Sequence, residues 1–554
     1  MPRPYGGSFL LEAPTDVFTP EDFTAEHRAI AKTTGEFWTR EVAPNLEAIQ
    51  QQDFEVLKRT LRKSAELGLV GVLLPEEYGG MDLDLVSSMI VSEIIGRDGS
   101  YSVCHGGQAG IGALPVFLFG TDQQKQKYLP RLASAELVAA YCLTEAQAGS
   151  DALAARTRAD LSSDGTHYVL NGQKMWITNG GIADLYTVFA KVGGEKFTAF
   201  LVERAWPGVS PGAEEKKMGL KGSSTTAVFF DNVKVPVENV LGEIGRGHII
   251  AFNILNLGRL NLAVSAHGKC CYVLADAIRY ARDRRAFGKS IAEFGLIQHK
   301  LAEMAVRMYV NESLIYRLAG HIQDSGRPLL QSAEDFAAEC SMVKILGSET
   351  LDYVVDEAVQ IHGGYGYHQD YAVERAFRDA RINRIFEGTN EINRLLATGM
   401  LLKRAKKGIL PLAAAVKDLS ATATVDPVVN AKKVGLFLLG VASKKYGEAL
   451  EQHQEVVAGI SDVLTNALAL ESAALRARKI HNENAAAMTA VFVDETMESI
   501  KASAKTVLAA CSETYSLRTN LALLRGLTAY ELVDSIALRR SIAARLVEAG
   551  KYIV

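Results

Sequence analysis

His167-Tyr-Val-Leu-Asn-Gly172 is the stretch that decides the fold. Its side chains alternate between two faces, the period of a strand. Its closing Asn-Gly pair is a hairpin-turn signal. Working outward, Leu185 to Val192 and Phe197 to Val202 flank Gly193-Gly194 and read as a hairpin. Thr226-Ala-Val-Phe-Phe230 and Val233-Lys-Val-Pro236 read as further strands. Residues 139–245 are therefore expected to form a small β-domain.

On either side of that window the apolar spacing becomes helical. Residues 1–20 read as a loose arm, followed by a helical domain at 21–138. There Thr24-Ala-Glu-His27 opens a run through Ile30, Phe37 and Trp38, with Thr19 and Pro20 behind it as a start signal. Leu57, Leu61, Ala65 and Leu67 lead to a Gly68 stop, and a second group runs from Leu85 to Leu118. Residues 246–405 hold three long segments, Ile250 to Arg285, Leu296 to Asp324 and Ala333 to His362, whose apolar faces suit a bundle. Pro411 and the stretch from Ser420 to Pro427 mark a boundary, and 411–554 is a further helical domain. The chain is thus mainly α with one inserted β-domain, not a βαβ alternation. Gly110-Ile-Gly112 and Gly364-Tyr-Gly366 lack the strand and third glycine of a dinucleotide fingerprint, and there is no Walker loop, HExxH or GxSxG.

Composition narrows the class. A chain of 554 residues exceeds one compact core, so two to four domains are expected. A net charge of −4, with no basic arm, gives no nucleic-acid footprint. The six cysteines show no CxxC pair or regular spacing; they read as free thiols in a reducing compartment, and no metal is expected. The first residues, MPRPYGGSFLLEAPTDVFTPEDFT, resemble neither a secretory signal nor an Arg-rich transit peptide, so a cytoplasmic protein is expected. No apolar run approaches the roughly 20 residues of a membrane span. The longest, Val434 to Ala442, fits a buried helix, and no basic amphipathic stretch argues for membrane contact by the last domain.

Five segments carry candidate chemistry. In Arg381-to-Leu395, RINRIFEGTNEINRL, Glu387 sits between Ile385-Phe386 and a Gly-Thr-Asn turn, with helical spacing resuming at Ile392. An acid so placed is a candidate general base. Around Gly149, residues Thr144, Glu145, Ser150 and Asp151 form either a binding turn for a polar edge or phosphate, or a plain Asx/ST turn. Trp176, ahead of Thr178 and an Asn-Gly-Gly turn, either stacks on an aromatic cofactor or belongs to the core. The cations of Arg282-Asp-Arg-Arg-Ala-Phe-Gly-Lys289 either answer a helix dipole or hold a diphosphate. Gln360-Ile-His-Gly-Gly-Tyr-Gly-Tyr367 is a helix stop with more glycine than a cap needs.

Together and in this order, YCLTEAQAGSD, WITNGG, RDRRAFGK, QIHGGYGY and RIFEGTNEI resemble the acyl-CoA dehydrogenase family over roughly residues 25–405. The helical continuation to Val554 resembles its very-long-chain branch. The resemblance implies FAD between the β-domain and the bundle, in a homodimer or dimer of dimers. It implies FAD contacts from Cys142, Leu143, Thr144, Gly149 and Ser150, from Trp176, Ile177 and Thr178, and from Thr389 and Asn390. Arg284, Phe294 and Gln298, with Gln360, Gly363 and Gly364, would meet the FAD diphosphate or adenosine across a dimer interface. Ser150, Asn256, Arg259 and Gly388 would lie along the acyl-CoA thioester. Ala146 and Gln147 depart from the family's proline-led pair.

The implied reaction is α,β-dehydrogenation of a long or very-long-chain fatty acyl-CoA to the trans-2-enoyl-CoA, electrons passing to an electron-transfer flavoprotein. Glu387 would take the α-proton while the β-hydrogen leaves as hydride. The thioester oxygen would be held by a ribityl hydroxyl and the Glu387 N–H. Some relatives carry the base at a position matching Gly258; glycine there leaves Glu387 as the base. Glycines in His105-Gly-Gly-Gln-Ala-Gly-Ile-Gly112 would open the acyl tunnel or serve helix packing. Two alternatives are an oxygen-using acyl-CoA oxidase and a non-enzymatic assembly protein of the same fold.

Overall fold

The computed structural model describes residues 4–419 and 423–554; of the expected boundary stretch, Ser420 to Pro427, residues 420–422 lie outside the described residues. The chain separates into two compact units, Thr24–Asn261 and Met1–Phe23 with Leu262–Val554. The division falls inside one helix, Gly247–Asp283.

The Thr24–Asn261 unit begins with helices. Thr24 caps Ala25–Phe37 by accepting from the His27 amide at 3.2 Å. Phe54–Glu66 buries Leu57 and Leu61 and ends before Gly68 at φ +75°. The helices Leu85–Ile95, Gly99–Gly106 and Asp122–Ala133 follow. Between them, Gly107–Gly112 widens into a π-helical turn. Three of its neighbouring glycines serve packing. A Cβ on Gly112 would lie 2.7 Å from Ala139, one on Gly107 3.0 Å from Asn179 and one on Gly106 3.3 Å from Asn261; only Gly110 faces open space.

The sheet supplies the rest of this unit: β1 (Ala139–Cys142), β2 (Arg158–Leu161), β3 (His167–Thr178), β4 (Leu185–Val192), β5 (Lys196–Glu203), β6 (Val209–Glu214), β7 (Thr225–Pro236) and β8 (Val240–Leu241). Strand order is β6-β7-β3-β2-β4-β5-β8, with β1 parallel to β4. The β4–β5 hairpin turns at Gly193-Gly194, both at positive φ, as the Gly-Gly pair requires. Asn171-Gly172 is not a hairpin turn: β3 runs through it, with a register shift against β7. A Cβ on Gly172 would lie 2.5 Å from Thr157 Oγ1, so this glycine answers close approach inside the sheet.

The second unit is helical. Gly295–Gln323, Ala337–His362 and Asn390–Lys406 form a bundle, continued by Pro427–Tyr446, Gln454–Ile480, Glu483–Cys511, Thr514–Leu527 and Ser535–Ala549. Residues 4–23 do not hang loose. Phe9 and Leu10 are buried, the Gly7 amide donates to Glu339 Oε1 at 2.6 Å, and Phe18 packs against Gly320. The apolar cover that Phe9, Leu10 and Phe18 find on the bundle explains the docking. Among the described residues two helices, Gly247–Asp283 and Gln454–Ile480, are long and apolar enough to cross a membrane, but both are largely buried inside the protein. All six cysteines are free thiols, and the described residues hold no metal-ligating cluster.

Candidate active site

The candidate residues divide between the two units. In the β-unit they gather where β1 leaves the sheet and β3 ends. Cys142, Leu143 and Ile177 point into the core. Their main chain is what a ligand at the expected contacts would meet; burial also pushes the Cys142 thiol up. Thr144 is half-exposed and its carbonyl accepts from Met175 N at 2.9 Å. Gly149 and Ser150 are exposed, and a Cβ on Gly149 would meet nothing within 4 Å.

Glu145 holds this turn from beneath. Its Oε1 accepts from Lys174 Nζ at 2.7 Å and from Thr157 Oγ1 and N, and its Oε2 from Arg156 N at 2.6 Å. Burial raises the Glu145 carboxyl, but Lys174 and these donors outweigh it and leave it below the ordinary carboxylate value. Burial lowers Lys174 more than Glu145 restores it. Sequence reading missed Lys174, yet it lies on the parity of β3 that buries Tyr168 and Leu170.

Trp176 stands apart. It is 58 % exposed and takes φ +55°. Positive φ in a bulky residue is a backbone outlier, and such outliers concentrate where function holds them. Half-exposed Thr178 is two residues on. Farther along, Arg259 Nη1 donates to Asn256 Oδ1 at 2.7 Å, both side chains buried.

In the helical unit, Arg284 ends the Gly247–Asp283 helix and lies over the Tyr365 ring, 5.6 Å from its centroid. Tyr280 stacks on His362 at 4.1 Å and donates to its carbonyl at 3.1 Å, joining this helix end to the end of Ala337–His362. Gln360, Gly363 and Gly364 are exposed there, and a Cβ on either glycine would meet nothing within 4 Å. Phe294 and Gln298 flank the next helix start; Gln298 donates to the Ala292 carbonyl at 3.2 Å. Phe287 and Tyr367 are 95 % and 88 % exposed, so this face leaves a cation, open glycines and aromatic rings in reach of a planar anionic ligand.

Glu387 is half-buried at φ +58°, followed by Gly388 at φ +80°. Thr389 then caps Asn390–Lys406 by accepting from Ile392 N at 3.2 Å. The turn is tied from inside. Asn393 Nδ2 reaches the carbonyls of Gly388 at 2.8 Å and Thr389 at 3.0 Å. Lys344 Nζ, fully buried, donates to the Gly388 carbonyl at 2.8 Å and to Asn390 Oδ1 at 2.7 Å. Asn390 is thereby committed inward: its Nδ2 goes to Ser348 and Glu349. A ligand contact at Asn390 would therefore be made by its main chain. Lys344 and Asn393 were also missed. Lys344 is the lone cation in CSMVKILG, a signal that it needs buried acceptors.

The β-unit thus carries an exposed tryptophan at positive φ, and the helical unit carries a carboxylate on a positive-φ turn and an exposed cationic face. Comparison with known proteins narrows this. The sequence matches the N-terminal, middle and C-terminal domains of acyl-CoA dehydrogenase over residues 24–136, 140–233 and 245–401. A second acyl-CoA dehydrogenase C-terminal domain matches 430–526. A probable acyl-CoA dehydrogenase of Bacillus subtilis is 48 % identical over 99 % of this chain and 98 % of its own length. The rat mitochondrial very long-chain specific acyl-CoA dehydrogenase is 44 % identical over 71 % of this chain, the match covering 58 % of that relative. The crystal structure of an acyl-CoA dehydrogenase from Bacillus anthracis, complexed with FAD, superposes with a TM-score of 0.97 over the whole of both chains at 46 % identity. The chain belongs to the acyl-CoA dehydrogenase family.

Proposed function

We propose that the protein binds FAD and dehydrogenates long or very-long-chain fatty acyl-CoA to the trans-2-enoyl-CoA, passing electrons to an electron-transfer flavoprotein. The observation that carries the reading is Glu387 at φ +58° on the turn before Asn390–Lys406, with glycine at 258. The residues fit FAD: Trp176 offers an exposed ring, Thr144 and Thr178 hydrogen-bonding edges, and Arg284 a cation beside open Gly363 and Gly364. When bound, FAD supplies the hydride acceptor. Relatives named very long-chain specific support the chain length, as does Gly110, which leaves the π-helical turn open at one point. The exposed 287–367 face is the surface that a second copy of the chain would cover, which supports a homodimer.

Glu387 removes the α-proton of the thioester onto its carboxylate, while its own N–H donates to the thioester oxygen as that oxygen gains charge. Gly388, at φ +80°, lets the chain turn directly after the base. Arg259, held by Asn256, is a positioning cation. Glu387→Gln keeps the shape and removes the base. It is expected to retain yellow flavin and to lose about 10²–10⁴-fold in anaerobic bleaching by acyl-CoA. Bleaching at near the wild-type rate would falsify the assignment. A C4-to-C20 acyl-CoA series reads chain length, and flavin left reduced in air with product bound separates a dehydrogenase from an oxidase.

A further inference from the structure

We infer that Lys344 is a positioning residue for the base and that Asp462, in the appended C-terminal domain, is tied to the same turn through a continuous polar relay. The inference rests on the reading of Glu387 as the base.

Starting from the base, Gly388 is its covalent neighbour. Lys344 Nζ donates to the Gly388 carbonyl at 2.8 Å and to Asn390 Oδ1 at 2.7 Å. Asn390 Nδ2 donates to Glu349 Oε1 at 3.1 Å. Arg394, one turn along the helix that starts at Asn390, bonds Glu349 Oε1 at 2.9 Å and Asp462 Oδ1 at 2.7 Å. Asp462 lies on Gln454–Ile480, inside the second C-terminal domain match. Every link is a hydrogen bond of ordinary length, and four of its members, Lys344, Glu349, Arg394 and Asp462, are charged, which strengthens each step.

The relay has a use because of the backbone it holds. Glu387 and Gly388 are consecutive positive-φ residues. A non-glycine in that region relaxes unless its surroundings fix it. Lys344 and Asn393 fix it by holding the Gly388 carbonyl from inside, so the carboxylate leaves the turn in one direction. A misplacement of about 1 Å at a reacting group costs on the order of 10²-fold in rate. The appended domain thereby acquires work in the dehydrogenase: it supplies the anion that orients Arg394, and Arg394 orients Glu349 against Asn390.

The test is α-proton exchange in the holoenzyme. A long-chain 3-thia-acyl-CoA carries an exchangeable α-proton but sulfur at the β-position, so it gives up no hydride. Deuterium uptake from D2O, read by mass spectrometry, therefore reports on the base alone. Lys344→Met is expected to slow uptake by on the order of 10²-fold while the analogue binds within about threefold of wild type. Asp462→Asn, at a partly exposed position, is expected to slow it by roughly three- to tenfold. The double variant is expected to be no slower than Lys344→Met, because both act through one turn. Should Lys344→Met not fold, Asp462→Asn and Glu349→Gln carry the test, and uptake within about twofold of wild type in both overturns the relay. If Glu387→Gln abolishes uptake while Lys344→Met leaves it unchanged, Lys344 does not position the base. If Glu387→Gln itself exchanges at the wild-type rate, the base assignment falls and the positioning role with it. Additive losses in the double variant overturn the link to Asp462.

Discussion

Two lysines, Lys174 and Lys344, are fully buried, one under the segment from Leu143 to Glu145 and one behind the turn of Glu387 and Gly388. They solve burial differently. Lys174 meets a carboxylate, Glu145, at 2.7 Å, and its other bond is to the Leu143 carbonyl at 3.1 Å. The hydrogen bonds of Lys344 to the turn go to neutral oxygens, the Gly388 carbonyl and the Asn390 amide. The first carboxylate along that path, Glu349, is reached through Asn390. Lys174 therefore closes a local ion pair under the segment from Leu143 to Glu145. Lys344 brings its charge to the carbonyl that follows the base. On the proposed function, the difference separates two kinds of support: Lys174 would hold a binding surface and Lys344 would aim a reacting group.

The largest effect expected from breaking this contrast is on stability. Lys174→Met leaves Glu145 buried without its cation, and removing one partner of a buried pair costs about 3–5 kcal/mol. Chemical denaturation should show that loss, together with reduced flavin content. A loss below about 1 kcal/mol would mean that Thr157 and Arg156 satisfy Glu145 without the lysine. Lys344→Met, by contrast, should keep its flavin and lose rate.

What sequence could and could not show follows the same line. The strands were legible because β3 and β7 alternate, and the β4–β5 hairpin because Gly193-Gly194 permits its turn. Glu387 and Trp176 stand out as candidates because each lies beside turn residues in a short motif. Asn171-Gly172 misled because local turn chemistry was outweighed by pairing with β7 and contact with Thr157. Lys344 and Asp462 were not legible as site supports. Lys344 is 44 residues before Gly388 and Arg394 is 68 before Asp462, so no local pattern joins them. The side-chain partners of Asn390 were not legible either, because its acceptor, Glu349, and its donor, Lys344, come from a different helix.

A third buried group sharpens the comparison by reversing the sign. Glu339, five residues before Lys344 on the same helix, pairs with no lysine among the described residues, and the more distant charge of Arg404 only partly offsets its burial. Burial pushes its carboxyl up to about 7, against the pull of the Gly7 amide. A carboxyl raised on folding gives stability that is full below its unfolded value of about 4.5 and is lost as pH rises through about 7. The loss is about 3 kcal/mol at most, from 1.36 kcal/mol per pH unit. Glu145, held below its ordinary value, behaves oppositely: its contribution is present above about 4.5 and is lost as pH falls. Thermal melts of Glu339→Gln at about pH 5 and about pH 8 should differ less than those of wild type. An unchanged pH dependence would mean that the docked arm does not feel Glu339 ionise.

The smallest expected effect tests strain without a brace. Trp176 holds φ +55° with its ring largely in solvent, so little packing recovers the roughly 1–2 kcal/mol that a left-handed non-glycine costs. Trp176→Gly removes that cost and adds about 0.5–1 kcal/mol of chain entropy. The apoprotein should therefore melt within about 1 kcal/mol of wild type, on the stable side. Loss of a stacking ring, about 0.5–1.5 kcal/mol, should weaken FAD by up to roughly tenfold. The two readouts move in opposite directions only if the ring is kept for a ligand. A core tryptophan would lose stability and cofactor together, and that outcome would return Trp176 to a structural role.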